Sequence, residues 1–296
     1  MNRARQVSVS IQDSLQAYES ELFMTKSALT CRAYMSDIRP FIEHLTQANV
    51  TRITAIKPTH IMKYLALSQQ TKAKNTIRRY YMAIRSWCRY LFKRGYTSLD
   101  LSLEVYVPKG EIPATRIPTL AEIQAIMQGP NIEDMLGLRD RAILELLYSS
   151  ALRATELCQL EVRDLQECSV LVSKGKGDKT RCIPLTVEAY TWVKLYLEEW
   201  GHDEGWLFRT SLDRQIKRQL LCKIVAEYSQ LAGVAGVTPH TLRHACATHL
   251  LDEGADLRLI QDLLGHSNIS STVRYTQLSS HKMKEMFTKF HPRGKS

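Results

Sequence analysis

Residues 238–275 read T-P-H-T-L-R-H-A-C-A-T-H-L-L-D-E-G-A-D-L-R-L-I-Q-D-L-L-G-H-S-N-I-S-S-T-V-R-Y and hold the most informative pattern of this 296-residue chain. Thr238 followed by Pro239 is a helix-start signal, and apolar residues then recur at helical spacing over three turns. A second amphipathic helix is predicted from Asp256, and Gly265 is suited to end it. The stretch therefore predicts two consecutive helices, the second closed by a glycine turn.

Four side chains of this stretch suit the binding of an anion. His240 and Arg243 are three residues apart and project from one face of the first helix. His266 follows the glycine turn, and Tyr275 comes nine residues later. Each residue alone has a common structural explanation, such as a helix-start histidine or a half-buried tyrosine. Together they form a set of cationic and hydrogen-bonding groups without a carboxylate, for which phosphate is the natural ligand.

Positive charge is concentrated in the first part of the chain. Residues 1–118 contain 18 Lys and Arg against 8 Asp and Glu, whereas residues 119–296 contain 22 of each. The net charge of +10 therefore belongs to the first part, which is typical of a domain that binds a polyanion. The length is sufficient for two domains with separate cores.

Several classes of protein are excluded by what the sequence lacks. No apolar run approaches the roughly 18 residues of a membrane span, and the first ten residues contain no apolar signal-peptide core. We therefore expect a cytoplasmic protein with no membrane contact. The seven cysteines occur singly, which argues against a disulfide framework and a zinc ribbon. His240 and His244 have the spacing of zinc ligands, but the glutamate of H-E-x-x-H is missing, so we expect no metal. We expect no cofactor either.

Residues 1–100 are predicted to form four helices on one core, with Thr30 capping the second helix and Pro40 kinking it. The fourth helix is the informative one, because residues 72–94 hold eight cations and no acid. A charge run is usually a solvated face, but one without a compensating carboxylate favours contact with DNA phosphates. The candidate DNA-binding residues are Lys72, Lys74, Arg78, Arg79, Arg85 and Arg89. Arg78, Arg85 and Arg89 share one stripe of the helix.

Residues 101–118 contain three prolines and no periodicity, and we predict a linker there. The second domain, 119–296, opens with Thr119 and Glu122 as a capping box. Arg153 lies at the joint between two predicted helices. Two short strands follow, joined by G-K-G-D-K with Lys176 near the tip of the hairpin. The glycines do not form a phosphate-binding loop, because G-x-x-x-x-G-K-[ST] is absent.

Four motifs of this domain resemble those of the tyrosine recombinases, in particular the Xer-like branch of that family. They are S-A-L-R-A-T-E-L, V-S-K-G-K-G-D-K-T-R-C-I-P-L, T-P-H-T-L-R-H-A-C-A-T-H-L-L and L-L-G-H-S-N-I-S-S-T-V-R-Y-T. The resemblance spans residues 119–296, and the first domain fits more loosely. It implies a mainly α fold with a small β-sheet: a helical SAM-like core-binding domain and a mixed α/β tyrosine recombinase catalytic domain with a C-terminal packing helix.

The resemblance also implies a role for each candidate residue. Tyr275 is expected to attack a DNA phosphorus, giving a 3′-phosphotyrosyl bond and a free 5′-hydroxyl. Arg153 and Arg243 are expected to clamp the non-bridging oxygens, for which planar guanidinium groups are better suited than lysine. The resemblance implies that His266 hydrogen-bonds to the phosphate and that Lys176 protonates the leaving 5′-oxygen. It implies that His240 accepts the proton of the tyrosine. A phenol with a pKa of about 10 needs such help at neutral pH.

The expected partner is double-stranded DNA with a short inverted-repeat core site, bound by a homo-tetramer or by a hetero-tetramer with a second recombinase. The first domain begins near residue 10, so we expect no arm-binding domain before it. Two other functions remain open: a type IB topoisomerase-like relaxing enzyme, and a catalytically silent DNA-binding regulator on the same fold. Dimer resolution and the integration or excision of a mobile element both remain open as biological roles.

Two further expectations concern single positions. Ala151 stands where the family usually has glycine, and a positive φ there would cost alanine on the order of 1 kcal/mol. The last 21 residues contain an apolar face made by Met283, Met286, Phe287 and Phe290. Packing in cis is the simpler expectation for this segment, but the resemblance favours its docking on a neighbouring protomer.

Overall fold

The computed structural model describes residues 9–107, 116–172, 180–265 and 278–293, with the side chains of 278–282 and 284 left aside. The chain divides into two compact units, residues 1–113 and 114–296, and each is described by itself. The predicted fold class is confirmed, because the described residues are mostly helical and carry one small sheet. No helix among them has both the length and the apolar character needed to cross a membrane.

The first unit packs four α-helices around one core. They are α1 (Ile11–Thr25), α2 (Ala28–Gln47), α3 (Pro58–Gln69) and α4 (Lys74–Lys93), with a short 3-10 helix at Ile53–Ala55. Ser27, and not Thr30 as predicted, caps α2, because its hydroxyl accepts the backbone N–H of Thr30. Phe41 and Trp87 are fully buried and meet edge to face at 6.5 Å, which joins α2 to α4 at the centre of the core.

Residues 101–107, at the start of the predicted linker, lie against this first unit. Ser102 and Val105 are buried, and the hydroxyl of Tyr81 donates to the backbone carbonyls of both residues at 3.2 and 3.0 Å. The prolines of the linker segment therefore follow a stretch that belongs to the core. The domain limits read from the sequence stay a prediction.

The second unit is built around one nearly fully buried helix, α6. The unit's helices are α5 (Leu120–Met127), α6 (Met135–Ser150), α7 (Ala154–Leu157), α8 (Val187–Trp200), α9 (Arg218–Leu231), α10 (Pro239–Asp252), α11 (Leu257–Leu264) and α12 (Leu278–Phe290). α6 packs against α8 and α10. Thr119 and Glu122 form the predicted capping box of α5, and Thr238 caps α10 as expected.

A three-stranded antiparallel sheet completes the second unit. Its strands are β1 (Leu165–Gln166), β2 (Ser169–Val172) and β3 (Arg181–Pro184), in that order across the sheet. Val172 pairs with Arg181, so the predicted hairpin is present and Arg181 is the first residue of its second strand. Strand β1 and a 3-10 helix at Val162–Asp164 lie outside the sequence prediction.

The C-terminal helix α12 packs in cis on its own unit. Met283, Met286 and Phe287 are buried in the same apolar core as α6 and α10. After the helix, His291 is fully buried and its ring stacks on that of Phe287 at 4.9 Å. In the single chain the apolar face of α12 therefore fits the core of its own domain, and its docking on a neighbouring protomer stays a prediction.

Candidate active site

Arg153 is presented by a sharp turn between α6 and α7. Helix α6 is followed by its C-cap residue Ala151, which is buried and adopts the left-handed conformation with φ 48° and ψ 32°. Leu152 is fully buried, and Arg153 is the N-cap residue of α7. An alanine at positive φ carries about 1 kcal/mol of strain that glycine would not. The turn is therefore strained at the residue two positions before the arginine.

The side chain of Arg153 is held at both ends of its guanidinium group. Its Nη1 donates to Glu156 Oε1 at 2.8 Å, and its Nη2 donates to the carbonyl of Gly265 at 3.2 Å. The backbone N–H of Arg153 also donates to Glu156 Oε2 at 2.9 Å. The side chain remains 43% exposed, and the guanidinium therefore keeps both a fixed direction and access to a ligand.

Arg243 reaches the same place from α10. It is only 6% exposed, and its Nη1 donates to the carbonyl of Ala151 at 2.5 Å while Nη2 donates to that of Leu264 at 2.6 Å. Leu264 and Gly265 are consecutive residues at the end of α11. Arg153 and Arg243 thus bond adjacent carbonyls, and the backbone of the Arg153 turn is itself a ligand of Arg243. Helices α6, α10 and α11 meet at these two guanidinium groups.

The charge of Arg243 is unusual because none of the carboxylates in the described part of the chain bonds it. Burial, followed by the nearby positive charge of Arg153, lowers the pKa of Arg243 to about 10, and the charge of Glu156 only partly compensates. The group is still protonated at neutral pH. A buried cation with another cation beside it stabilises any anion that enters between them.

Glu156 and Arg181 also belong to this cluster, and the sequence analysis missed both. Arg181 donates from Nη2 to Glu156 Oε2 at 2.9 Å, so one carboxylate bridges Arg153 and Arg181. Burial tends to raise the pKa of Glu156, but hydrogen bonds from Arg181 and from the Arg153 backbone outweigh it and leave the pKa below its usual value. The R-x-x-E spacing, which is that of a helix-start box, was the available signal for Glu156. Three guanidinium groups against one carboxylate leave the cluster positive.

The other candidate residues of the second unit stand apart from these contacts or outside the description. His240 is exposed in the first turn of α10, one helical turn before Arg243. Lys176, His266 and Tyr275 lie outside the described residues. The structure thus brings Arg153 and Arg243 together and leaves the positions of these three to proposal.

The candidate DNA-binding cations of the first unit lie on and just before α4. Lys72, Lys74, Arg78, Arg79 and Arg89 are exposed, and Arg85 is half-buried. Arg79 pairs with Asp37 at 2.7 Å, and Arg89 lies 3.7 Å from Asp100. The acids absent from the local sequence are therefore supplied by other segments. The roles of these cations in DNA binding stay a prediction.

Comparison with known proteins gives the family. Residues 118–282 match the phage integrase family, and residues 15–95 match the phage integrase N-terminal SAM-like domain. Tyrosine recombinase XerD of Listeria monocytogenes serotype 4b is 34% identical over 279 residues, which cover 90% of this chain and 94% of that protein. Tyrosine recombinase XerC of Pelobacter propionicus is 37% identical over 276 residues, covering 90% of each.

The fold agrees with these matches. A lambda integrase tetramer bound to a Holliday junction superimposes with a TM-score of 0.73 at 18% identity, covering 90% of this chain and 80% of that one. At that identity the likeness concerns the fold alone, whereas the sequence relatives span both units and the two family matches cover one unit each. The chain therefore belongs to the phage integrase family, as a tyrosine recombinase of the Xer type.

Proposed function

We propose that this protein cuts and rejoins DNA at a short inverted-repeat core site through a 3′-phosphotyrosyl intermediate. The phenol oxygen of Tyr275 bonds to the scissile phosphorus, the bond from phosphorus to the 5′-oxygen breaks, and that oxygen leaves as a hydroxyl. Attack by the 5′-hydroxyl of another strand then releases the tyrosine and seals the exchanged DNA. The observation that carries this proposal is that Arg153 and Arg243 bond the consecutive carbonyls of Gly265 and Leu264.

The two arginines retain enough donors to hold a phosphate. A guanidinium group has five N–H donors, and the contacts described above use two in Arg153 and two in Arg243. The remaining donors can bind the non-bridging oxygens and the charge that develops on them during attack. Because Arg243 lies buried beside a second cation, an incoming phosphate relieves repulsion that exists in the free protein.

The remaining proposed roles follow from the family resemblance. His266 directly follows Gly265 in the sequence, and the carbonyl of Gly265 accepts a hydrogen bond from Arg153. We assign His266 a hydrogen bond to the phosphate. Lys176 supplies the proton to the leaving 5′-oxygen, and His240 accepts the proton of Tyr275. The energy of the phosphodiester is kept in the tyrosyl ester, so no nucleotide cofactor is required.

The first unit supplies the sequence-independent grip on DNA in this proposal. The exposed cations at and before α4 contact phosphates, and two recombining sites are held by four protomers, either identical or of two kinds. The two relatives named above are called XerD and XerC, so both the identical and the mixed assembly are compatible with the names of the relatives. Because the proposed substrate is DNA, we place the activity in the cytoplasm.

The test of the cleavage step is a covalent trap. Attachment sites mapped across genomic DNA identify the core site, and a nicked suicide substrate carrying that site is then incubated with the protein. We expect a DNA adduct that withstands denaturation, disappears in Tyr275→Phe and persists in the matched control Tyr190→Phe. An adduct that survives in Tyr275→Phe contradicts the assignment of the nucleophile, and the lack of any adduct with the unaltered protein contradicts the proposed chemistry.

A second assay separates a recombinase from a relaxing enzyme. A plasmid with two directly repeated core sites is incubated with the protein and with a candidate partner recombinase where one is encoded. Recombination yields two smaller circles, whereas relaxation changes only the linking number and proceeds without a core site. Relaxation of a site-free plasmid at the same rate would contradict site-specific exchange.

A further inference from the structure

Arg181 is a buried arginine whose position is fixed from two sides. Its side chain is 15% exposed and donates from Nη2 to Glu156 at 2.9 Å. On its other side it lies against Gly265: a Cβ added to that glycine would stand 3.1 Å from the Cζ of Arg181 and 3.3 Å from both Nε and Nη1. The guanidinium thus fills the space that a side chain at position 265 would occupy.

The same two neighbours of Arg181 are the two ligands of Arg153. Glu156 accepts hydrogen bonds from both arginines, and the carbonyl of Gly265 accepts one from Arg153. Arg181 touches the side chain that holds Arg153 at one end and the residue that holds it at the other. Any displacement of Arg181 is therefore transmitted to both supports of Arg153.

The placement of Arg181 is costly for the fold. Its Nε and Nη1 groups are buried and have no hydrogen-bond partner among the described residues. Unsatisfied buried donors destabilise a folded protein, and the positive charge of Arg181 adds to the repulsion that lowers the pKa of Arg243. A residue selected only to stabilise the fold would satisfy those donors, so the arrangement indicates that position, and not stability, is what Arg181 provides.

We propose that Arg181 is a positioning residue, which holds Glu156 and the Gly265 turn in register so that the guanidinium of Arg153 faces the same anion as that of Arg243. This inference deepens the proposed function and rests on it. Arg181 acts through Glu156 and Gly265 and does not itself bind the phosphate, because its free donors face the glycine and are closed to solvent. Glycine at position 265 is required both by its φ of 60° and by this contact.

The test compares Arg181→Met with Arg243→Met and with the matched control Arg163→Met, an arginine of the same unit that is 80% exposed and paired with Glu161. Single-turnover cleavage of the suicide substrate, DNA affinity and the midpoint of thermal unfolding are measured for each. Misplacement of a catalytic group by about 1 Å lowers a rate about 100-fold. We expect a loss of roughly 10- to 100-fold in cleavage for Arg181→Met, with DNA affinity unchanged, and wild-type behaviour for the control.

A substrate with a neutral methylphosphonate at the scissile position separates positioning from direct contact. A variant that has lost a positive charge facing the phosphate should recover part of its cleavage rate when the phosphate has lost its negative charge. We expect this substrate to raise the cleavage rate of Arg243→Met relative to its phosphodiester rate, but to give no such recovery in Arg181→Met. Equal recovery in both variants overturns the positioning role, and so does a wild-type cleavage rate in Arg181→Met while the unaltered protein forms its adduct.

A binding measurement keeps the inference testable apart from cleavage. The thermal unfolding midpoint of the free protein is measured at increasing concentrations of inorganic phosphate, because a ligand of the folded state raises that midpoint. We expect the apparent Kd for phosphate to be about 10-fold weaker in Arg181→Met, with an intermediate value in Arg181→Lys, which keeps a charge but loses the planar fork. An unaltered phosphate Kd in Arg181→Met overturns the inference, whereas failure of the unaltered protein to form any DNA adduct counts against the proposed function alone.

Discussion

Replacing Arg243 by methionine should weaken the fold less than replacing the comparably buried Arg139. The two arginines are 6% and 5% exposed, but their partners differ. Arg139 bonds the carboxylate of Asp140 through Nε at 2.8 Å and Nη2 at 2.7 Å, whereas the partners of Arg243 among the residues that the structure describes are backbone carbonyls. Methionine keeps a long unbranched side chain at either position and removes the charge.

The magnitudes follow from those contacts. The pKa of Arg243 falls from 12.5 to about 10, so the charged form costs roughly 3 kcal/mol in the folded protein at neutral pH, at 1.36 kcal/mol per pH unit. Its two hydrogen bonds contribute about 1.5–3 kcal/mol each. The two effects partly offset each other, and we expect Arg243→Met to lower the free energy of unfolding by no more than about 3 kcal/mol. Arg139→Met leaves the Asp140 carboxylate buried and unpaired, which costs about 3–5 kcal/mol.

Denaturant unfolding followed by circular dichroism measures both values, and the suicide-substrate assay measures cleavage. Arg243→Met should lose at least 100-fold in cleavage, the usual effect of removing one oxyanion donor, while remaining folded. A loss of stability equal to that of Arg139→Met would refute the reasoning. It would mean that the Arg243 charge does not destabilise the DNA-free protein and that the residue serves mainly to stabilise the fold.

Three smaller predictions follow from other parts of the chain. Ala151→Gly should change the free energy of unfolding by less than about 1 kcal/mol, because relief of left-handed strain offsets the added chain entropy, whereas Ala142→Gly inside α6 should cost more than about 1 kcal/mol; equal losses in denaturant unfolding would contradict this. Burial lowers the pKa of His291 to about 3, so the unfolded chain binds its proton first as pH falls below about 6.5. Through His291, the unaltered protein should lose about 1.4 kcal/mol of its free energy of unfolding for each pH unit below that value, and His291→Gln should not show this loss. An unchanged pH profile of stability in the variant would count against it. Arg78→Ala should make the slope of log K against log salt less negative by about 0.9 in DNA binding, with a smaller change for Arg94→Ala, whose side chain is paired with Glu21; identical slopes would argue against the α4 contact.

The sequence predicted the helices that carry strong local signals. Pro239 and Gly265 act through the backbone of their own residues, so the start of α10 and the end of α11 could be placed from local chemistry. The capping box at Thr119 and Glu122 is local in the same sense. The cap of α2 was assigned three residues too late, because Ser27 and Thr30 are both good capping residues and only the packing of the helix selects between them.

The site was harder to predict in full because its contacts are long-range. The pairing of Arg153 with Gly265 joins residues 112 positions apart, and no periodicity reports such a contact. Glu156 reads as an ordinary residue of a short helix until Arg181 is found on its other oxygen. Family resemblance supplied the two arginines, but the bridge that orients them became visible only in three dimensions.

The most direct test of the account is the structure of the protein on a cleaved core site with orthovanadate, which takes the five-coordinate geometry of phosphorus during attack. The account predicts that Tyr275 is bonded to the vanadium and that the guanidinium groups of Arg153 and Arg243 both donate to its equatorial oxygens. A vanadate held by only one of the two arginines, or bonded to a residue other than Tyr275, would contradict the central claim.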